Sequence, residues 1–343
     1  NERKMNIQQA IKAVIAKQDL TEDEMHAVMN DIMTGKTTDA QIGGFLVGLS
    51  MKGETVAEIT AAAKVMRSLA TGVQIHHPKY LVDTCGTGGD GLGLFNISTA
   101  CAFVVASAGG QVAKHGNRSI SSKSGSADVL EAAGVNLDMS PEKISKCVEK
   151  IGVGFMFAPA HHSAMKHAIG ARKDLAVRTI FNVLGPLTNP AKAPHQVMGV
   201  YDKALVEPIA NVLKSLGSKH VMVVHSKDGL DEISIADDTY VAELKDGAVT
   251  TYTINPTEFG LPLGDLNDIK ADDADSSLKL IQQALDGKDG AAKNIIALNS
   301  GAAIYVSGMA KSLQAGINTA LGILNGGSAH QKLDDFVRES TGC

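Results

Sequence analysis

A glycine-rich turn at residues 83–91, with the sequence DTCGTGGDG, constrains the fold of this chain more than any other feature. The apolar run Tyr80–Val82 precedes it, and an apolar stretch from about Ser98 to Ala108 follows it. This order predicts a strand, a loop and a helix. Backbone N–H groups in such a loop converge at the positive end of the helix dipole. The sequence therefore predicts a cradle for phosphate or pyrophosphate, with a plain tight turn as the alternative.

The same turn contains a formal G-x-G-x-x-G match at Gly86, Gly88 and Gly91, which is the pattern of dinucleotide-binding dehydrogenases. That fingerprint places its last glycine inside the opening helix and an acidic residue about 20 positions later. Here the second predicted strand runs into Lys114–His115 instead, and no G-K-[ST] of a Walker loop follows the glycines. The context therefore argues against both nucleotide-binding motifs.

Apolar runs alternate with helical patterns along the rest of the chain. This alternation predicts an α/β fold with a mainly parallel central sheet flanked by helices. The Asp246–Gly247 turn predicts a hairpin, which we expect at the edge of that sheet. The later predicted strands are Val153–Phe157, Val197–Tyr201, Val221–His225, Tyr240–Leu244 and Val249–Ile254, and a helix is predicted from about Lys203 to Leu216.

Roughly the first 70 residues are predicted to form consecutive helices, because capping-box pairs and closing glycines alternate there. The pairs are Thr21/Glu24, Thr38/Gln41 and Thr55/Glu58, and the glycines are Gly35, Gly53 and Gly72. We expect a small N-terminal helical domain over residues 1–78, with part of 175–195 packed against it. A larger α/β domain is expected over 79–343. Asn1–Lys4 are expected to be a remnant before a natural start at Met5.

Composition restricts the classes of partner. The 343 residues carry 32 basic and 37 acidic side chains, a net charge of −5, with 4% aromatic residues and no tryptophan. Such a chain is poorly suited to binding a phosphate backbone or stacking bases, so we expect no nucleic acid partner. No apolar run is long enough for a membrane span. Four scattered cysteines indicate reduced thiols, and we expect a cytoplasmic protein.

Two polar clusters follow later predicted strands. Lys114–Ser119 lies where the second strand should end, so it would face the glycine turn. Its lysine and arginine can neutralise phosphate, and the serines up to Ser126 add hydroxyl groups. Asp231 and Glu232 follow another strand, and Mg²⁺ is typically held by one or two carboxylates together with substrate phosphates. Solvated loops are the alternative for both clusters.

Arg172 could bind a substrate carboxylate through its planar fork, with a surface ion pair to Asp174 as the equal alternative. The histidines His161, His162 and His167 lack the spacing of a zinc protease helix. We expect them to pack or to form hydrogen bonds.

In combination, these motifs resemble the anthranilate phosphoribosyltransferase family over nearly the whole chain. The matching stretches are Gly86–Asp90, Asn96–Thr99, Lys114–Arg118, Ser121–Ser126, Phe181–Pro190 and Asp231–Glu232. The resemblance implies a small helical domain hinged on a larger α/β domain, usually paired as a homodimer. It also implies transfer of the phosphoribosyl group of phosphoribosyl pyrophosphate (PRPP) to the amine of anthranilate, a step of tryptophan biosynthesis that releases pyrophosphate.

The resemblance also implies roles for individual residues. PRPP would be bound by Gly86, Gly89, Asp90, Asn96, Ser98, Thr99, Lys114, Asn117, Arg118, Ser119, Ser122 and Ser126. Anthranilate would be bound by Gly86, His115, Asn117 and Arg172, and the cofactor Mg²⁺ by Ser98, Asp231 and Glu232. No residue is expected to act as an acid or base, because the aromatic amine is already unprotonated at neutral pH. Lys114 and the loop amides would stabilise the leaving pyrophosphate.

Three positions depart from the pattern of this family: Leu94 replaces a frequent hydroxyl residue, Ala171 a proline or valine, and Ala176 a glycine. Two other functions remain open at this point. One is a pyrimidine nucleoside phosphorylase of related fold, which would carry a different base-binding signature. The other is a nucleic-acid-binding relative, which the negative net charge and the intact Asp231–Glu232 pair oppose.

Overall fold

The computed structural model describes residues 4–119 and 124–342. The strands in these residues are β1 (Leu81–Gly86), β2 (Gln111–Gly116), β3 (Val153–Phe157), β4 (His195–Gly199), β5 (His220–Ser226), β6 (Thr239–Lys245) and β7 (Ala248–Ile254). The α-helices are α1 (Ile7–Ile15), α2 (Glu22–Met33), α3 (Asp39–Lys52), α4 (Val56–Leu69), α5 (Ile97–Ser107), α6 (Ser126–Ala132), α7 (Pro141–Ile151), α8 (Ala158–His161), α9 (Lys166–Leu175), α10 (Phe181–Leu184), α11 (Val206–Ser215), α12 (Ala274–Leu285), α13 (Ala291–Ser307), α14 (Leu313–Gly326) and α15 (Ser328–Thr341). Short 3₁₀ turns lie at Ser163–Met165, Lys203–Leu205, Pro256–Phe259 and Leu266–Ile269. None of the described helices is both long and apolar enough to cross a bilayer.

The seven strands form one sheet in the order β3-β2-β1-β4-β5-β6-β7. The first five of these strands are parallel neighbours, whereas β6 and β7 pair antiparallel at one edge. Asp246 and Gly247 connect β6 to β7 with φ of 51° and 76°, the positive values that a tight hairpin turn needs. The predicted mainly parallel sheet and its edge hairpin are therefore confirmed.

The predicted capping boxes of the N-terminal helices are confirmed at the starts of α2, α3 and α4. In each, a threonine accepts the N3 amide while the N3 Glu or Gln accepts the threonine amide. Asn6 and Gln9 form a fourth such box at α1, which the sequence analysis did not single out. Gly53 ends α3 with a φ of 90°, but α4 already ends at Leu69, before the predicted stop at Gly72.

The two faces of the sheet belong to two different hydrophobic cores. Val197, Met222 and Val224 lie in the core built with α5 and α12–α15. The alternating Met198, Val221 and Val223 lie in a second core. That second core also contains the buried residues of α1–α4, α9 and α11, together with residues 180–187. Because successive strand residues point to opposite faces, the helical bundle packs on one face of the sheet. The domain boundary at residue 78 stays a prediction.

A buried ion pair joins helices of the bundle. Lys52 Nζ donates to Glu58 Oε2 at 3.0 Å, and the two side chains are only 3% and 0% exposed. Glu58 also accepts the amides of Leu20 and Thr55, each at 2.8 Å, so its carboxylate connects the end of α3 to two loops. The Lys52 ammonium has a further, exposed partner in Asp19 at 2.7 Å.

We expect Lys52→Met to lower the free energy of unfolding by about 3–5 kcal/mol, because it leaves the buried Glu58 carboxylate without its cation. Urea unfolding followed by circular dichroism measures this change. Lys64→Met is the matched control, since Lys64 pairs with Glu22 on the surface of the same bundle and should change stability by less than about 1 kcal/mol. Equal effects of the two substitutions would contradict the importance of burial.

Candidate active site

The predicted site clusters meet at one edge of the sheet, where the parallel strands end. The glycine turn follows β1, Lys114 and His115 end β2, and Asp231 follows β5. β1 lies between β2 and β4, so the strand order reverses at β1. Ligands of open α/β sheets bind at such a reversal, outside the carboxyl ends of the strands.

The glycine turn contains hydrogen-bonded amides followed by amides without an acceptor among the described residues. Thr87 N–H donates to the Gly199 carbonyl at 2.9 Å, and Gly88 N–H donates to Asp231 Oδ2 at 2.8 Å. The next three amides, those of residues 89–91, have no acceptor among the described residues. Consecutive unpaired amides form a concavity that binds anions. The turn therefore has the properties of the predicted phosphate cradle.

Asp231 crosses the ends of β1 and β4 at a distance that only glycines permit. Gly86 and Gly199 are paired in register across these two strands. A Cβ atom added to Gly86 would lie 2.5 Å from Asp231 Oδ2, and one added to Gly199 would lie 1.6 Å from the Asp231 carbonyl oxygen. The two glycines thus leave the space that Asp231 occupies, and with it Glu232.

The acidic side chains at this edge repel one another. Burial and, to a smaller extent, the nearby charge of Asp90 raise the pKa of Asp231 to about 7. Burial and the charge of Asp231 also raise the pKa of Glu232, against the opposing effect of Lys114. No group of three or more His, Cys, Asp or Glu side chains within residues 4–119 and 124–342 is arranged to hold a metal ion. Carboxylates beside an anion cradle fit Mg²⁺, which proteins hold through one or two carboxylates together with substrate phosphates.

Lys114 and Ser98 join β2 to the start of α5. Lys114 is buried, and its ammonium donates to the Thr84 carbonyl and to Ser98 Oγ, the latter at 3.0 Å. The main-chain N–H of Ser98 in turn lowers the pKa of Glu232 by hydrogen bonding. Thr99 Oγ1 is buried and has no hydrogen-bond partner among the described residues. The predicted residues Ser98 and Lys114 therefore lie in direct contact beside the acidic pair.

Asn96 binds Ser124, which comes shortly after the Lys114–Ser119 cluster in the sequence. Its side-chain oxygen accepts from Ser124 Oγ at 3.0 Å and from Ser277 Oγ at 2.7 Å. Its Nδ2 donates to the Ser124 carbonyl at 3.2 Å. Ser126 begins α6, and its hydroxyl lies 3.5 Å from the carbonyl of the exposed Asn117. Ser122 is outside the described residues.

Arg118 and Ser119 are held by α6. The Arg118 guanidinium binds Glu131 through two hydrogen bonds of 2.7 and 3.0 Å and also contacts Asp128 at 3.3 Å. Ser119 N–H donates to Asp128 Oδ2 at 3.0 Å. The predicted phosphate contact of Arg118 would therefore require its guanidinium to leave two carboxylates.

Arg172 lies on α9, with its guanidinium carbon 5.3 Å from the ring centre of Phe181. It forms no ion pair with Asp174 or with any other described carboxylate. Burial lowers the Arg172 pKa. A half-buried cation without an anionic partner has the properties of a binding site for a carboxylate ligand.

The His115 and His162 rings lie with their centres 4.9 Å apart, and both Nε2 atoms are buried without a partner in the described residues. Burial and the neighbouring histidines lower the pKa of His115 to about 3, and burial lowers that of His162 to about 4. Both rings are therefore neutral at neutral pH. His161 Nδ1 forms a hydrogen bond with the Thr71 carbonyl at 2.8 Å.

Three residues that support the site were not found by sequence reasoning. Asn189 donates to Asp83 Oδ2 and to the Ala113 carbonyl, each at 2.8 Å, which ties β1 to β2. Asn299 accepts the Ile233 amide at 2.9 Å and donates to the Ile233 carbonyl at 3.0 Å, which holds the segment after Glu232. Arg178 donates to the Gly89 carbonyl. Only Asn189 lay in a motif, the stretch 181–190.

The structure shows the surroundings of two residues that depart from the family pattern, Leu94 and Ala176. Leu94 pairs with Lys270 in an isolated β-bridge, and its side chain packs against the core of α5 and α12–α15. Ala176 ends α9 with φ 50° and ψ 29°, the left-handed conformation that glycine adopts without strain. The alanine there costs roughly 1 kcal/mol, and the helix nevertheless ends at this position.

The class of protein follows from both parts of the fold. Residues 8–70 match the model of the glycosyl transferase family, helical bundle domain. Residues 78–330 match the model of the glycosyl transferase family, a/b domain. The two matches thus define a glycosyltransferase.

Individual relatives narrow this class. The chain is 80% identical over 339 residues to anthranilate phosphoribosyltransferase of Ruthia magnifica subsp. Calyptogena magnifica, covering 99% of this chain and 100% of the relative. The crystal structure of anthranilate phosphoribosyltransferase from Thermus thermophilus is similar with a TM-score of 0.91 and 40% identity, covering 97% and 99% of the two chains. The Saccharomyces cerevisiae enzyme in complex with PRPP and Mg has a TM-score of 0.88 at 25% identity, covering 98% of each chain. The chain belongs to the anthranilate phosphoribosyltransferase family, which confirms the resemblance found in the sequence.

We expect Gly199→Ala to lower the free energy of unfolding by about 1–3 kcal/mol, because the added methyl group overlaps the main chain of Asp231. Urea unfolding measures the loss. Gly322→Ala is the control, since Gly322 lies inside α14 with open space around it, and alanine there should stabilise by about 0.5–1 kcal/mol. A Gly199→Ala protein as stable as the wild type would contradict the close approach.

Proposed function

We propose that this protein transfers the phosphoribosyl group of PRPP to the amine of anthranilate and releases pyrophosphate. One observation carries the proposal: the unpaired amides of residues 89–91 lie on the same turn that binds Asp231 through Gly88. Donors for a pyrophosphate are thus adjacent to carboxylates that can share a cation with it. The names and the bound PRPP of the relatives support the same reaction.

The proposed task of the glycine turn and Lys114 is to stabilise charge on the leaving group. Negative charge grows on the pyrophosphate as its bond to the ribose C1 breaks, and fixed donors aimed at that charge lower the barrier. The bonds of Thr87 and Gly88 hold the first part of the turn, next to the amides of residues 89–91. Lys114 supplies positive charge from the neighbouring strand β2. The remaining phosphoribosyl contacts are proposed for Gly86, Asn96, Thr99 and the predicted residues through Ser126.

Arg172 is proposed to bind the carboxylate of anthranilate and thereby to position its amine. The guanidinium has no competing carboxylate among the described residues, and its planar fork matches a carboxylate with two hydrogen bonds. Asn117, Gly86 and His115 are proposed to line the same substrate. The aromatic amine is unprotonated at neutral pH, so its nitrogen lone pair is available for attack on C1, and a neutral His115 adds no charge beside it.

Mg²⁺ is the proposed cofactor, and Ser98, Asp231 and Glu232 are the residues that would hold it. When bound, it would neutralise charge on the pyrophosphate oxygens. The raised pKa of Asp231 supports this assignment, because burial and the charge of Asp90 leave its ionised form in need of a cation. The Ser98 amide and the charge of Lys114 both act on Glu232 and lower its pKa against the effect of burial.

We further propose that the protein acts as a homodimer in the cytoplasm. The ground for the homodimer is the family resemblance, which implies such a pairing. Cys85, Cys101 and Cys147 are free buried thiols, which suits a reducing compartment.

The loss of anthranilate fluorescence on addition of PRPP tests the reaction. We expect the loss to require Mg²⁺ and to fall at least about 100-fold in rate in Asp231→Asn/Glu232→Gln, because that variant removes both charged ligands. The neutral side chains should leave the protein folded, since the ionised pair is itself unfavourable there. Asp268→Asn removes an exposed carboxylate elsewhere and is the control. If folded wild-type protein causes no loss of fluorescence, the proposed reaction is wrong and the phosphorylase alternative is favoured.

We expect Arg172→Ala to raise the apparent KM for anthranilate by about 10- to 100-fold, equivalent to the loss of a charge-assisted hydrogen-bonded pair. The KM for PRPP should change by less than about threefold. Steady-state kinetics with each substrate varied in turn measures both values. Lys173→Ala, an exposed neighbour on the same helix, is the control. An unchanged anthranilate KM would remove Arg172 from the site.

A further inference from the structure

Arg178 lies just beyond the end of α9 and reaches across to the glycine turn. Its Nη2 atom donates to the carbonyl oxygen of Gly89, 89 positions away along the chain. Its guanidinium carbon lies 4.1 Å from the ring centre of Tyr201, two residues after β4. The sequence analysis gave this arginine no role. The turn therefore has a second side-chain contact besides Asp231, which holds it through Gly88.

The carbonyl that Arg178 holds determines where an amide points. Gly89 C=O and Asp90 N–H belong to one peptide unit, which is planar and trans, so the two bonds point in opposite directions. With its carbonyl bound to Arg178, this unit must present the Asp90 N–H to the other side of the turn. That N–H is one of the three amides without an acceptor among the described residues.

The turn needs such a contact because its backbone can rotate at little cost. Gly88 and Gly89 have φ of 70° and 78°, and glycine populates both signs of φ about equally. A peptide unit next to such residues can turn over and present a carbonyl oxygen where the amide stood. An oxygen in that position would repel a phosphate.

Tyr201 fixes the direction of the arginine. Arg178 itself is exposed, and a free exposed arginine would sample many rotamers. A guanidinium at 4.1 Å from the centre of an aromatic ring is attracted by the negative face of the ring. Because Tyr201 follows β4, the sheet itself supports the contact between Arg178 and the turn.

We propose that Arg178 is a positioning residue of the anion site, which holds the Gly89–Asp90 peptide unit with its N–H directed toward the pyrophosphate. Arg178 acts through the turn and not by contact with the reacting atoms. The identity of the anion rests on the proposed function, whereas the contact with the turn does not.

The test compares Arg178→Met with the wild type in two measurements that require no turnover. Hydrogen–deuterium exchange by mass spectrometry on ligand-free protein follows residues 86–93, where the amides of Thr87, Gly88 and Leu92 are hydrogen-bonded. Calorimetry measures the binding of pyrophosphate in the presence of Mg²⁺. We expect exchange of these amides to be several-fold faster and the pyrophosphate Kd to be about tenfold higher in the variant. Kinetics should show a similar rise in the KM for PRPP and less than a twofold change for anthranilate.

Arg338→Met is the control, because Arg338 is an exposed arginine that pairs with Asp335 on the last helix. Tyr201→Leu, which removes the aromatic ring, should shift exchange and Kd in the same direction by a smaller factor. Unchanged exchange in ligand-free Arg178→Met would overturn the proposal, even if pyrophosphate binding weakens, since that result would indicate a direct contact with the anion. Unchanged pyrophosphate affinity would overturn it as well. A wild-type protein that binds pyrophosphate but leaves anthranilate unconsumed would refute the proposed function alone.

Discussion

The close contact between the Asp231 segment and the paired glycines Gly86 and Gly199 is the constraint on which the site depends. A carbonyl oxygen and a carboxylate lie where side chains of β1 and β4 would otherwise be. The acidic segment can therefore bind the turn through Gly88 N–H, and the turn can leave its next amides unpaired. Side chains at either glycine would separate the anion donors from the carboxylates.

This arrangement places carboxylates next to donors that favour negative charge. Burial and the charge of a neighbouring carboxylate raise both pKa values, the neighbour being Asp90 for Asp231 and Asp231 for Glu232. The adjacent amides and Lys114 favour negative charge. A site of this kind gains most from a ligand that brings an anion and a cation together, as a magnesium pyrophosphate would. Binding of such a ligand would offset the cost of burying these charges.

Much of the fold could be predicted because its signals are local. Each of these signals lies within a few residues: the capping boxes at Thr21, Thr38 and Thr55 and the turn at Asp246–Gly247. Such short-range interactions restrict the backbone conformation locally. Residues that act over long separations could not be found in this way. Arg178 meets its partner 89 positions away, and no local pattern marks it. Asn189 lies in the matching stretch 181–190, but that stretch does not indicate its partner Asp83, 106 positions away.

Arg118 lies in a motif that was recognised, yet the partner of its side chain could not be predicted. Its position beside Lys114 and His115 predicted a phosphate contact, and the structure places its guanidinium on Glu131 and Asp128. Those carboxylates lie 13 and 10 residues further on, on a helix whose direction the sequence did not determine. The residue types of the cluster suit phosphate, but its sequence does not show which way the Arg118 side chain points.

One face of the sheet and the helical bundle share a hydrophobic core, and this limits how the chain can evolve. Met198, Val221 and Val223 of the sheet fill the same interior as the buried residues of α1–α4. A substitution that enlarges a side chain in the bundle therefore removes volume from the sheet, and the reverse holds equally. The bundle cannot be exchanged as a separate module, and its sequence and that of the sheet must change in step.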